Sequence, residues 1–169
     1  MNPTVAAPAE KSWLDTELCH RELLRAIPVA IYTCDQRGII TYFNQAAAFL
    51  WGRKPVVGQD SWCGSWKIYH TDGTPMGLGE CPMAIALREG RPVHGEPIVI
   101  ERPDQTRRYV VPYPEPIRDS SGSVVGAVNT LMDLTESEVG RSVLQSIQLR
   151  TAGASPSASQ KVYPQRENA

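Results

Sequence analysis

Ile39-Ile40-Thr41-Tyr42-Phe43-Asn44-Gln45-Ala46-Ala47-Ala48-Phe49-Leu50-Trp51-Gly52 is the stretch on which the fold turns. Its first five residues are β-branched or aromatic and suit a pleated strand. Asn44 then offers a side-chain oxygen to the amides of a following helix. Gln45 to Trp51 favour helix, and Gly52 can take the left-handed conformation that ends one. A short strand therefore runs straight into a short helix.

Upstream, Val29 to Cys34 is a second β-branched and aromatic run, and Asp35-Gln36-Arg37-Gly38 supplies the turn of a hairpin. Before it, His20, Leu23, Leu24 and Ile27 share one helical face, and Pro28 stops that helix. Ser12 with Asp15 makes a capping-box pattern, so the spacing predicts an amphipathic helix over Ser12 to Ala26. Residues 1–11 are small and proline-containing, and disorder is expected there.

Downstream, Lys54 to Gly79 reads as irregular, with a small hairpin over Trp66 to Met76 closed by Thr71-Asp72-Gly73. Cys81 to Arg88 reads as a short helix stopped at Gly90. Val93 to Glu101, Arg107 to Ile117 and Ser123 to Asp133 are strand-like, separated by turns at Pro103-Asp104 and Asp119 to Gly122. Thr135 with Glu138 repeats the capping-box pattern and predicts a final helix over 136–150, striped with Val139, Val143, Leu144 and Ile147. Residues 151–169 turn to Ser, Ala, Pro and Gln, and disorder is expected again. The order of elements predicts an α+β fold: a five-stranded antiparallel sheet, short helices on one face and a helix at each end, one domain over 12–135. A cavity between sheet and helices would hold a small ligand.

Pro112, Pro114 and Pro116 recur at a period of two, so one edge of that strand loses three donors in a row. Either a neighbouring strand stops short of Pro112 or this strand bends away, and a splayed edge there could open to the cavity.

Several of these segments together resemble the PAS domain family. Leu23 to Tyr32 followed by Asp35 and Gly38 looks like that family's first strand and turn. Ile40 to Ala47 looks like its second strand entering its first core helix. Arg118 to Gly122 leading into Val125 to Val128 looks like its last hairpin, and Asp133-Leu134-Thr135-Glu136 like its exit motif. The resemblance covers Ser12 to Glu136. It implies a five-stranded sheet, often around a ligand, in a module that dimerises through flanking helices and signals to a kinase or regulator in trans. Asp133 and Thr135 would then stand at the root of the output helix as signal-relay residues.

Hydrophobic residues make up 41% of the 169-residue chain and charged ones 21%, with a formal net charge of -1. No basic footprint points to nucleic acid. No apolar run reaches the roughly 20 residues of a membrane span, and no secretory leader is expected. Four scattered cysteines without a CxxC pair argue for reduced thiols, a cytoplasmic setting and no structural zinc. No phosphate loop or nucleophile elbow occurs, so an enzyme is not expected.

Candidate ligand contacts are His70, Cys81, Trp66, Tyr69, Tyr32 and Asn129. His70, Cys81 and His94 are the residues that could ligate haem, with Cys81-Pro82 similar to a short motif of some haem-regulated proteins. Trp66 and Tyr69, with Trp51 and Trp62, are aromatics suited either to a planar ligand or to a loop-rich core. Tyr32, Tyr109 and Asn129 sit on strands and could point their polar ends into a cavity, where the amide of Asn129 would need partners. Around Cys63 the Asn and Arg of the flavin-binding light-sensing branch are lacking, and Cys63 reads as a small hydrophobe. The expected function is a sensory, dimeric signal-transduction module with a small ligand in its core. The alternatives are a haem-binding redox or gas sensor and a ligand-free interaction module.

Overall fold

The computed structural model describes residues 22–153. Residues 22–26 are helical, consistent with a helix reaching Ala26; the rest of that expected helix, residues 1–11 and the tail beyond 153 lie outside the described residues. The chain then forms β1 (Ala30–Asp35), β2 (Ile40–Phe43), α1 (Gln45–Trp51), β3 (Lys67–Tyr69), a 3-10 turn (Leu78–Glu80), α2 (Pro82–Glu89), β4 (Ile98–Glu101), β5 (Arg107–Arg118), β6 (Val124–Asp133) and α3 (Glu138–Gly153).

The deciding stretch folds as its residues dictate. Asn44 caps α1 by accepting from the amide of Ala47, and Gly52 ends the helix at φ 66. α2 begins with Pro82 in its first turn and ends at Gly90 in the left-handed region.

The sheet has six antiparallel strands in the order β2-β1-β6-β5-β4-β3. Five strands were expected; the sixth is β3, the first arm of the Trp66–Met76 hairpin, which pairs Ile68 with Ile100 of β4. Val93–Glu101 enters the sheet only at Ile98. β4 meets β5 from Arg107 to Val110 and stops there, while β6 follows β5 onward through Pro112, Pro114 and Pro116 to Arg118. The amide of Val93 donates to the carbonyl of Pro114. A strand residue's N–H and C=O point to the same edge, so the three missing donors face the side β4 has vacated. The clefts beside Trp62 and Arg107 do not open along that edge.

Both faces of the sheet are covered. The inner core joins Tyr32, Cys34, Ile40, Ile68, Ile98, Ile100, Val110, Ala127 and Leu131 to Leu50 and Trp51 of α1 and Met83 and Ala84 of α2. The outer cluster is Tyr69, Val99 and Tyr109 beneath Ile147 of α3, with Leu134, Val143 and Leu144 around it. The stripe of α3 therefore folds back on its own sheet, where the resemblance had implied a role in dimerisation. α3 also starts later than position 136. Thr135 does not cap it; Ser137 does, accepting from the amide of Gly140 at 3.0 Å.

Candidate functional site

A polar group sits at the centre of the inner core. Tyr32 and Asn129 face each other across β1 and β6, which pair residue for residue there, and each is 1% exposed. Asn129 Nδ2 donates to Tyr32 Oη at 3.1 Å, and Tyr32 Oη donates to the carbonyl of Trp62 at 2.9 Å. Asn129 Oδ1 accepts from the amide of Tyr113 on β5 at 3.0 Å. Trp62 holds its carbonyl there from φ 65, a left-handed conformation rare for a bulky residue. The Tyr32 ring meets Trp51 edge-on at 5.2 Å.

Three thiols line the same core: Cys34, Cys63 and Cys81 are free and buried. Burial raises all three; Cys81 is pushed up to about 12. Burial likewise raises the Tyr32 hydroxyl well above its ordinary value. Cys63 Sγ lies 3.1 Å from Ser65 Oγ. Neutral buried thiols are poor nucleophiles, so this cluster suits recognition or packing better than covalent chemistry. Trp51 Nε1 and Tyr42 Oη are buried without a hydrogen-bond partner among the described residues.

The second constellation is the exit from β6. The Asp133 carboxylate accepts from the amide of Thr135 at 3.0 Å and from its hydroxyl at 2.5 Å. Thr135 Oγ1 in turn accepts from the amide of Tyr109 at 3.0 Å, while the amide of Leu134 donates to the Tyr109 carbonyl at 2.9 Å. Arg108 approaches Asp133 at 3.8 Å. A Cβ at Gly140 would collide with the Leu134 carbonyl, so the first turn of α3 can lie against this junction only as glycine.

The outer face carries charge as well. Glu101, 6% exposed, is paired with Lys67 Nζ at 3.1 Å and Arg107 Nε at 3.0 Å. The Arg107 guanidinium lies 4.5 Å from the Tyr69 ring centre. Burial, then the Glu101 charge, raises the Tyr69 hydroxyl.

The structure brings together only part of the expected ligand set. Tyr32, Asn129 and Cys81 belong to the inner core. Tyr69 points to the opposite face, under Arg107 and α3. Trp66 is 40% exposed, just ahead of β3, and His70 is exposed at the hairpin that follows it. His94 is bound at the surface to Glu115 at 2.7 Å. Haem does not fit this arrangement: the candidate histidines lie at the surface while Cys81 is buried in the core, and none of them lines the clefts beside Trp62 and Arg107. Among the described residues no group of three or more His, Cys, Asp or Glu side chains could hold a metal ion.

Asn44 does more than the cap its sequence position suggested. Its Oδ1 accepts from the amides of Ile31 and Ala47, and its Nδ2 reaches the carbonyls of Leu24, Ile27 and Val29. One side chain thus ties the helical segment before the sheet to β1 and α1. Arg107 was also missed, because its importance comes from what α3 does above it, and Tyr109, expected to point into the cavity, lies instead on the outer face beneath Ile147.

Residues 28–136 match the PAS domain family. No curated protein matches the sequence. Among solved structures, an RNA-binding light-oxygen-voltage receptor superposes with a TM-score of 0.60 at 19% identity, covering 89% of this chain. The chain spans 41% of that receptor's length. The PAS domain of an HTR-like protein from Haloarcula marismortui superposes at 0.55 with 16% identity, over 73% of this chain and 95% of that one. A light-oxygen-voltage protein from Rhodobacter sphaeroides gives 0.54 with 13% identity, over 83% of this chain and 75% of its own. At these identities the likeness concerns the fold.

Proposed function

The chain belongs to the PAS domain family, and from that premise we propose that it is a sensory signal-transduction module whose output element is α3. The observation that carries this reading is the path from sheet to helix through Tyr109. Its backbone is bonded at both polar atoms to Leu134 and Thr135 of the exit turn, while its ring packs beneath Ile147. Any shift of β5 moves the floor and the root of α3 together.

Magnitudes favour a movable helix. Fully burying one isoleucine contributes about 1.5–3 kcal/mol. Ile147 is 1% exposed, but Val143 and Leu144 are only half-buried and Val139 is 61% exposed. After the entropy of ordering the helix is subtracted, docking is worth a few kcal/mol. That is within reach of a ligand or partner.

The input is a small polar or planar ligand that rearranges the Tyr32–Asn129 pair, whose amide group also binds β5. The side chains of the inner core are almost fully buried, Tyr32 and Asn129 among them, and this favours a second reading in which a partner protein alone shifts α3. Leu23, Ile27, Val29, Met132 and Val139 leave apolar side chains exposed near the start of β1 and the end of β6. They suit a homodimer, with a kinase or regulator engaged in trans in the cytoplasm and no catalysis by the module itself. Among the described residues no helix is long and apolar enough to cross a membrane.

The test is amide hydrogen exchange. The α3 amides should open at lower free energy than those of β1 and β6, and Ile147→Asp should strip their protection while the sheet stays protected. Exchange of α3 only through global unfolding would sink the reading.

A further inference from the structure

A cleft of about 490 Å³ lies between the β4–β5 turn and α3, lined by Glu101, Gln105, Thr106, Arg107, Leu144 and Gln148. We propose that this cleft binds a small molecule by a terminal carboxylate or phosphate gripped by Arg107, and that the bound anion fastens α3 to the sheet. The binding stands on the geometry of the cleft; the fastening rests on the reading of α3 as output.

Arg107 is pre-set for this task. Its Nε donates to Glu101 and its plane is held over the Tyr69 ring, so the guanidinium is fixed in orientation. No acceptor for Nη1 or Nη2 is found among the described residues. A guanidinium presents paired N–H groups that match two oxygens of a carboxylate or phosphate. An arginine spent on a structural ion pair alone would be expected to turn that paired edge toward Glu101; here it offers only Nε.

The local charge favours an anion. Glu101 is answered on both oxygens, by Lys67 and by Arg107. On this face two basic side chains, Lys67 and Arg107, stand against the one carboxylate of Glu101. Asp104 is itself occupied by the amide and hydroxyl of Thr106. The exposed Gln105, at φ 67, stands on the rim with an amide to offer. Leu144 provides an apolar wall for the body of the ligand, and the volume is within the roughly 300–1,000 Å³ of small-molecule sites. By contrast, the cleft of about 320 Å³ beside Trp62 carries only Arg88, already bonded to the Gly79 carbonyl and near Glu89.

A ligand spanning Arg107 and the α3 residues Leu144 and Gln148 bridges sheet and helix. It would bind the docked form better than the undocked one and so shift the population toward docking.

The experiment titrates the full chain with sodium phosphate and, separately, sodium malonate, each against sodium chloride at matched ionic strength. Heteronuclear NMR follows the Arg107 Nε–H and the Gln105 and Thr106 amides, and hydrogen exchange follows α3. At least one probe should give saturable shifts at millimolar concentration, the better one naming phosphate or carboxylate as the preferred head group. Arg107→Lys, which keeps the charge and loses the fork, should weaken binding about tenfold. Gln105→Gly, tolerated at a left-handed position, should weaken it a few-fold without disturbing the fold. Shifts equal to those in chloride, silence up to roughly 50 mM, or unchanged affinity in Arg107→Lys would overturn the site. Saturable binding that leaves α3 exchange unchanged would overturn the fastening alone, while the output role of α3 keeps its own test in Ile147→Asp.

Discussion

The backbone N–H of Tyr109 donates to the hydroxyl of Thr135, 26 residues along the chain, at 3.0 Å. That hydroxyl passes its own proton to Asp133, so it serves two strands at once. Thr135→Val keeps the shape and removes both bonds, leaving the Tyr109 amide without its partner. The expected cost is about 1–3 kcal/mol, measured by denaturant unfolding. Protection of the α3 amides should fall further than that of β1. An equal fall in both would mean that the bond holds the sheet and not the helix root.

Tyr32 and Asn129 belong to one chain of hydrogen bonds inside the core. Tyr32→Phe strands an Asn129 N–H and the Trp62 carbonyl, and should destabilise by about 1–3 kcal/mol. Asn129→Ala also orphans the Tyr113 amide and leaves a void, so it should cost more. Because the two residues touch, the double variant should cost less than the sum of the singles. Additive values from unfolding curves would refute a shared network.

What was legible in the sequence was local or periodic. Strand, Asn44, helix and Gly52 follow from backbone chemistry within fourteen residues. The period-two prolines declared an edge without donors because the strand repeat is itself two. What escaped depends on distant pairing. Asn44 reads as a cap, yet its bonds to Leu24 and Ile27 exist only once the preceding helix is docked. Tyr69 was grouped with Trp66 as an aromatic near the ligand, but pairing of β3 with β4 places it opposite Val99, on the outer face. The stripe of α3 was correctly apolar, while its partner could not be named without the sheet. Thr135 matched the capping pattern, but Asp133 and Tyr109 had already claimed its hydroxyl and Ser137 took the cap. The Tyr32–Asn129 pair joins residues far apart in the chain; their types suggested burial, and only the β1–β6 register made them partners.

The buried thiols predict an alkaline limit. Cys81 is held protonated up to about 12, whereas it would ionise near the ordinary value of 9.0 once unfolded. A raised native pKa means stability that is full below 9.0 and lost as pH climbs from there toward 12. The slope for one such group is about 1.4 kcal/mol per pH unit. Cys34 and Cys63 shift in the same direction and steepen it. Chemical denaturation between pH 8.5 and roughly 10.5 should show this decline, and Cys81→Ala should make it shallower even if it lowers stability at neutral pH. A decline of the same steepness in Cys81→Ala would assign it to other groups.

The hairpin turns predict the acid limit. Asp72, Asp104 and Asp119 each accept from a hydroxyl and an amide two residues on, at Thr74, Thr106 and Ser121. These bonds favour the carboxylate and hold all three below the ordinary value of 3.8, led by the side-chain hydroxyl in each case. A depressed native pKa gives stability that is present above 3.8 and lost as pH falls through the folded value. The groups are fully exposed, so each loss is small and should appear first as fraying of its own turn. Carboxyl-carbon NMR titration should place the three midpoints below 3.8, with Thr74→Ala, Thr106→Ala and Ser121→Ala each returning its own aspartate toward that value. If one substitution moved all three midpoints, the cause would be the charge of the whole domain and not the hydroxyl beside each carboxylate.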